Sequence, residues 1–289
     1  MNKSKVGKLL RRELRAEERR GLKKWTKANE MRQGENVIDP SQSRNHKLAF
    51  GIEPSTRLFK LRLARYKGLA ESIADALRKK GKAQVTLLDI GVGSGRSMRY
   101  IEAEGVAGQI DFYGIDLKQR RLASVYSPQR WRLFQGDVEK GIPFRAGKFD
   151  IVVCEQVLEH LTNPPAAINE IARVLRPDGL LVLGVPIFPW GLKYIRRMMA
   201  HVLLKWFGIT RSHLQSFDFT SLKHLLCEYN HFTIVKSYGF RIFIRFGLSP
   251  LEDFSWYYRL NRWVGRVFPN LCSDVQIVAR RNPVTSQQQ

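Results

Sequence analysis

The 289-residue chain is 44% hydrophobic, enough for one large core or two modest ones, and it carries 49 Lys and Arg against 26 Asp and Glu. Its three cysteines, Cys154, Cys227 and Cys272, are too widely spaced for a metal-ligand pattern, and no run of about 18 apolar residues reads as a membrane-crossing helix. No secretory leader is evident either, so a reduced, cytoplasmic setting is expected.

The net charge of +23 is unevenly spread. Residues 1–80 hold 22 basic against 9 acidic side chains, residues 81–185 hold 13 against 12, and the remainder 14 against 5. Partners are therefore sought in the flanks and chemistry in the nearly neutral middle.

Residues 3–32 read as a strongly basic helix, with Val6, Leu9, Leu10 and Leu14 as a short apolar stripe. Glu13, Glu17 and Glu18 stand at helix-pairing distances from Arg and Lys, and they argue against a mitochondrial transit peptide. Such a helix suits a solvated extension, an anionic membrane surface or RNA. Residues 33–55, rich in Gly, Asn, Ser and Pro, read as a linker, so residues 1–54 form a basic extension and residues 55–289 the main domain.

A helix is expected from Ser55 to about Lys80, ending at Gly81, with Leu58, Leu61, Tyr66, Leu69, Ile73 and Leu77 on its buried face. Strands follow near residues 84–90, 110–115, 130–135, 149–154 and 179–185, with helices near 95–104, 118–125 and 165–175. Strands alternating with helices predict an α/β, doubly wound parallel sheet whose ligands bind at the carboxyl ends of the strands. Beyond residue 210 come a helix over Thr220–Tyr229 and strands at 231–238 and 274–280, separated by the aromatic, arginine-rich Phe240–Asn270.

The chemistry centres on Val85–Ser97, an apolar strand that reaches Asp89 and then turns through Gly91, Gly93 and Gly95. Glycines at a strand end let the backbone turn tightly beside a ligand. Asp116 closes the second strand, where a carboxylate can accept from both ribose hydroxyls, and Asp137 follows the third, within reach of an exocyclic adenine amine. The turn is tighter than the dinucleotide Gly-x-Gly-x-x-Gly and lacks the Gly-Lys-Ser/Thr ending that grips triphosphates. Asp89 would repel a pyrophosphate and suits an amine and a sulfonium. That favours S-adenosyl-L-methionine over NAD or ATP.

Leu88–Gly95, Gly114–Leu117, Gly136–Asp137, Phe149–Leu161 and Ile168–Pro186 stand in the order found in one family. The chain resembles the class I S-adenosylmethionine-dependent methyltransferases, in the branch of small-molecule and quinone-type enzymes. The likeness spans residues 84–186, with a weaker echo at His213–Leu226 and in the last strand. It implies a Rossmann-like, mostly parallel seven-stranded sheet with an antiparallel last strand, and methyl transfer by in-line attack on the sulfonium methyl. Asp89 and the turn of Gly91, Gly93 and Gly95 would hold the methionyl part, Asp116 the ribose, Leu117 the adenine face and Asp137 its amine. Glu155 and Gln156 would line the cavity where methyl and acceptor meet.

An oxygen or nitrogen acceptor calls for a general base, and Glu159, His160 and His213 are the candidates. Some quinone-type relatives hold a metal in an acid–x–x–acid–His run, but Gln156 replaces the first acid, so no metal is expected. Asn163-Pro164-Pro165 lies nine residues past Cys154 and precedes Ala166, not an aromatic. It therefore reads as the start of the helix at 165–175 and not as a base-methylating motif.

Residues 187–208 read as a basic amphipathic helix, with Leu192, Ile195, Met199, Val202, Leu203 and Trp206 on one face and Lys193, Arg196, Arg197, His201 and Lys205 largely on the other. Such a helix either caps its own domain or lies in a membrane interface, and Ile242–Phe268 extends the same surface, so cap elements are expected over 187–270. The expected acceptor is small and lipophilic or lipid-linked, close to an anionic membrane. RNA is the alternative acceptor, and a non-catalytic scaffold the alternative role.

Overall fold

The computed structural model describes residues 61–81, 84–93, 95–117, 131–187, 215, 217–227, 231–242, 251 and 254–283. The expected helices at 3–32 and 118–125, all but Ile187 of that at 187–208, the first turns of that from Ser55 with Leu58, the linker at 33–55 and His213 lie outside the described residues.

A 3-10 turn at Leu61–Leu63 leads into α1 (Ala64–Lys80), which stops at Gly81 as the sequence predicts. Leu61, Leu69, Ile73 and Leu77 are buried along it. Strand β1 (Val85–Ile90) is followed by α2 (Arg96–Ala103), β2 (Ile110–Asp116), β3 (Trp131–Gln135) and β4 (Phe149–Glu155). Next come α3 (Pro164–Val174), β5 (Leu175–Pro186), α4 (Phe219–Cys227) and β6 (Phe232–Ile242). Helix α5 (Ser255–Val267) and β7 (Cys272–Arg281) complete the described elements.

The seven strands form one sheet in the order β3-β2-β1-β4-β5-β7-β6. Pairing is parallel from β3 to β5, whereas β7 runs antiparallel to both β5 and β6. This is the expected sheet, with its antiparallel last strand inserted between β5 and β6.

Alternation along each strand divides the core in two. Leu88, Val152 and Leu181 pack beneath Ile168 and Ile171 of α3 and Leu222 of α4. Leu87, Val153 and Val182 pack beneath Ile73 of α1, Ile101 of α2 and Tyr257 of α5. Burial on both faces is why the central strands read as continuous apolar runs.

Two strands are longer than expected, and one stretch holds a helix that the sequence did not place. Strand β5 begins four residues earlier than predicted, because Leu175 pairs with Phe149 before the register shifts to Leu180 opposite Ile151. The intervening Arg176–Asp178 bulge outward, exposed, with Asp178 at φ 59°. Strand β6 runs on to Ile242 because its ladder with β7 continues to Cys272. The Phe240–Asn270 stretch contains helix α5, fastened to the sheet edge by Asn261 Oδ1, which accepts from Ile242 N at 2.8 Å, and by Tyr257 Oη, which donates to Ile242 O at 2.9 Å. The Asn163-Pro-Pro reading holds: α3 starts at Pro164, and Asn163 Oδ1 accepts from Ala166 N at 3.3 Å as its N-cap.

Candidate functional site

The carboxyl ends of β1, β2 and β4 meet at one edge of the sheet, and the glycine turn sits on it. Gly91, Gly93 and Gly95 take φ of 71°, 56° and 73°, a left-handed conformation that few other residues adopt without strain. At Gly91 a Cβ would also collide with Val157. The turn is pinned from β2: Gly91 N donates to Ile115 O at 2.8 Å, and Gly93 N donates to Asp116 Oδ2 at 3.1 Å. One oxygen of the expected ribose ligand thus also shapes the turn.

Asp89 is buried at the end of β1, and the Ser97 hydroxyl of α2 donates to its Oδ2. Burial pushes its carboxyl up to about 7; the Ser97 bond works against that shift, and the charges of Glu155 and Asp116 add to it. A carboxyl held at such a cost is poised to ionise when a cation arrives. Around it lie acids and a backbone turn. These acceptors fit an amine or sulfonium and not a phosphate chain.

Leu117 stands beyond β2 with 60% of its surface exposed, as a side chain that covers a flat ligand would. Asp137 turns its carboxylate onto its own loop, where Oδ1 accepts from Glu139 N at 3.1 Å and Oδ2 lies 3.6 Å from Lys140 Nζ.

Glu155 lies across the sheet and not out from its edge. Its Oε2 accepts from Gln276 Nε2 of β7 at 3.0 Å, and its Oε1 stands 3.4 Å from Arg65 Nε of α1. Gln276 Nε2 also donates to Arg65 O at 3.1 Å, closing the link between helix and sheet. The carboxylate passes directly over Gly184, where any Cβ would overlap it. Burial raises Glu155 to about 7 against the lowering pull of Arg65 and Gln276, with Asp274 raising it further.

Gln156 has φ 58° and donates its backbone N–H to Gly184 O at 2.8 Å, while its Nε2 is buried without a hydrogen-bond partner among the described residues. The following 3-10 turn, Leu158–His160, separates the two candidate bases. Glu159 points inward, 1% exposed, and neither carboxylate oxygen has a hydrogen-bond partner among the described residues. Burial is the main reason its carboxyl rises to about 8; its own backbone amide and Arg65 oppose the rise, and Glu155 and Asp274 add to it. His160 turns outward, its side chain 48% exposed and its Nε2 4.0 Å from Glu159 Oε1. Among the described residues no three His, Cys, Asp or Glu side chains gather into a metal-holding group.

Ser97, Arg65 and Gln276 were not singled out in the sequence, although two carried a signal. Ser97 opens the helix after the turn, and Gln276 interrupts the apolar run of β7.

Residues 88–183 match the family described as a methyltransferase domain. The likeness to a methyltransferase domain covers about a third of the chain. Ubiquinone biosynthesis O-methyltransferase of Aromatoleum aromaticum is 33% identical over 107 residues, which are 35% of this chain and 44% of that protein. The mitochondrial arginine-hydroxylase NDUFAF5 of Danio rerio is 25% identical over 166 residues, 56% of this chain and 49% of that protein. The chain thus spans about half the length of the curated relatives it matches, or less. In fold, the YcgJ protein of Bacillus subtilis superposes with a TM-score of 0.52 over 75% of this chain and 99% of its own, at 16% identity. The matched residues lie within β1–β5 and their helices, the segment that builds the acidic glycine turn.

Proposed function

We propose that this protein transfers a methyl group from S-adenosylmethionine to a small, lipophilic or lipid-linked acceptor. The observation that carries the reading is the buried Asp89, raised to about 7 beside a left-handed glycine turn, with Asp116 at the next strand end. Residues Asp89, Gly91, Gly93, Gly95, Asp116, Leu117 and Asp137 would hold the cofactor. Bound there, it supplies an electrophilic methyl on a sulfonium, and the protein's work is to orient the acceptor and exclude water.

Gln156 and Glu159 would meet the acceptor, since both bury polar atoms that the described residues leave without hydrogen bonds. Glu159 is a better candidate base than the outward-facing His160. At about 8 its carboxyl is mostly protonated at neutral pH, so a base role makes the rate climb with pH until Glu159 is ionised. The lipophilic acceptor is suggested by the relatives named for ubiquinone biosynthesis. The hydroxylase relative shows that resemblance alone is a weak guide to chemistry, so the reading leans on Asp89 and the glycine turn.

The test is a methyl-transfer assay with radiolabelled S-adenosylmethionine on cell extracts separated into lipid, RNA, protein and small-molecule pools. Label is expected in the lipid or organic-extractable small-molecule pool. Label confined to RNA or protein contradicts the acceptor, and no label in any pool contradicts the activity.

A further inference from the structure

Helix α5 is held to the sheet by one face, and its opposite face is exposed. Tyr257, Asn261 and Gly265 are buried against the end of β6, and Arg262 Nη2 meets Glu71 Oε2 of α1 at 2.6 Å. These contacts fix the rotation of the helix. Trp256, Leu260, Trp263 and Val267 then fall at i, i+4, i+7 and i+11 on the outer side, each 44–61% exposed. Phe254 and Phe268, also about half exposed, extend the stripe at its two ends. Arg259 and Arg266, seven residues apart and both exposed, run along one flank.

We propose that α5 is the element by which this protein seats on an anionic lipid surface. The stripe enters the interface, and Arg259 and Arg266 meet the lipid phosphates. Two indoles alternating with two aliphatic side chains suit the headgroup–acyl boundary, where aromatic rings lie with their apolar bodies buried and their N–H groups wet. A stripe of this kind is out of place facing water in a monomer.

Charge selects this occupant over the others. Residues 188–214 of the same chain carry Lys193, Arg196, Arg197, Lys205 and Arg211 and no acid, and residues 1–60 are basic as well, so both repel an arginine-flanked face. A second copy would bring the same arginines. Single-stranded RNA would answer the arginines and could stack on the indoles, but Leu260 and Val267 between them offer no face for a base.

The placement also fits the proposed lipophilic acceptor, and the inference rests on that reading for its purpose alone. Strand β6 runs parallel to β1–β5, so Ile242, where α5 is fastened, ends at the same edge of the sheet as Asp89 and Glu155. A helix lying on a membrane would bring that edge to the lipid.

The experiment uses the full chain and cosedimentation with phosphatidylcholine vesicles, with and without phosphatidylglycerol, comparing wild type with Trp256→Ser/Trp263→Ser and with Arg259→Gln/Arg266→Gln. Wild type is expected to pellet with the anionic vesicles. The tryptophan variant should lose at least about tenfold in vesicle affinity with its melting temperature unchanged, because both residues are exposed. The arginine variant should lose most of its preference for phosphatidylglycerol. A vesicle-induced blue shift of tryptophan fluorescence should shrink in Trp256→Phe/Trp263→Phe.

Unchanged vesicle affinity in the tryptophan variant overturns the proposal. So does a loss of self-association, a selective loss of RNA binding, or a lowered melting temperature without any effect on vesicles, which would point to a second copy, to nucleic acid or to the chain's own segments. Vesicle binding is read without methyl donor or acceptor, so its failure and that of the methyl-transfer reading are separately visible.

Discussion

Asp89→Asn should lower S-adenosylmethionine affinity by at least about a hundredfold and at the same time raise the melting temperature of the ligand-free protein above pH 7. Both effects follow from one buried carboxyl raised to about 7, far above the usual aspartate range. A raised carboxyl stabilises the fold fully at pH below its unfolded value, and that stability is lost as pH rises through about 7. The ionised form therefore weakens the ligand-free protein by an amount on the order of 2–4 kcal/mol at pH 8–9. Asparagine keeps the shape and can still pair with Ser97, but never carries the charge. Melting curves at pH 5 and pH 8.5 check the claim, with a gain at pH 8.5 expected to exceed that at pH 5 by several degrees. In the wild type, cofactor affinity should climb between pH 6 and 7.5 as Asp89 ionises.

Arg65→Met should destabilise the protein by about 2–4 kcal/mol at pH 8 and by less than half of that at pH 6. Arg65 is the cation beside Glu155, and Gln276 Nε2 donates a hydrogen bond to the same carboxylate. Removing the guanidinium leaves a buried charge with one neutral donor. At pH 6 Glu155, already raised to about 7, is mostly protonated and the loss is blunted; at pH 8 it is mostly ionised, and without Arg65 it must either keep a buried charge or take up a proton. Urea unfolding at the two pH values measures the difference. An equal loss at both would mean that Arg65 contributes packing and not charge. Because the pair straddles α1, β4 and β7, loosening it should also displace the strand end that carries Gln156 and Glu159.

The parts of the site that could be read in the sequence are those built from neighbours in the chain. Asp89 and the three glycines fall within seven residues, and the strand that carries them is apolar because both its faces are buried. Asp116 was legible for a similar reason, as the polar end of an apolar strand. What it does for Gly93 was not, since that bond joins two strand ends. The Arg65–Glu155–Gln276 link joins residues 90 and 121 positions apart, and no local pattern announces it.

Gly184 shows the same limit. In sequence it is a glycine inside a strand, and only the Glu155 carboxylate lying over it explains why no side chain fits. The fold was legible nearly throughout β1–β7, because alternation of strands and helices is a long-range pattern written in short segments. Strand ends were less so, as at Leu175 and Ile242, where the neighbour's ladder and not the strand's own composition decides the length. The stretch that holds α5 is legible in the sequence as aromatic and basic, but only the bonds of Tyr257 and Asn261 to β6 tell its inner face from its outer one.

The acidic glycine turn as a seat for a cationic adenosine cofactor is tested most directly by isothermal titration of the full chain at pH 7.5 with S-adenosylmethionine and with ATP. Saturable binding of S-adenosylmethionine, no binding of ATP, and at least about a tenfold loss in Asp116→Ala are the expected results. ATP binding as tight as that of S-adenosylmethionine, or an unchanged affinity in Asp116→Ala, would contradict it.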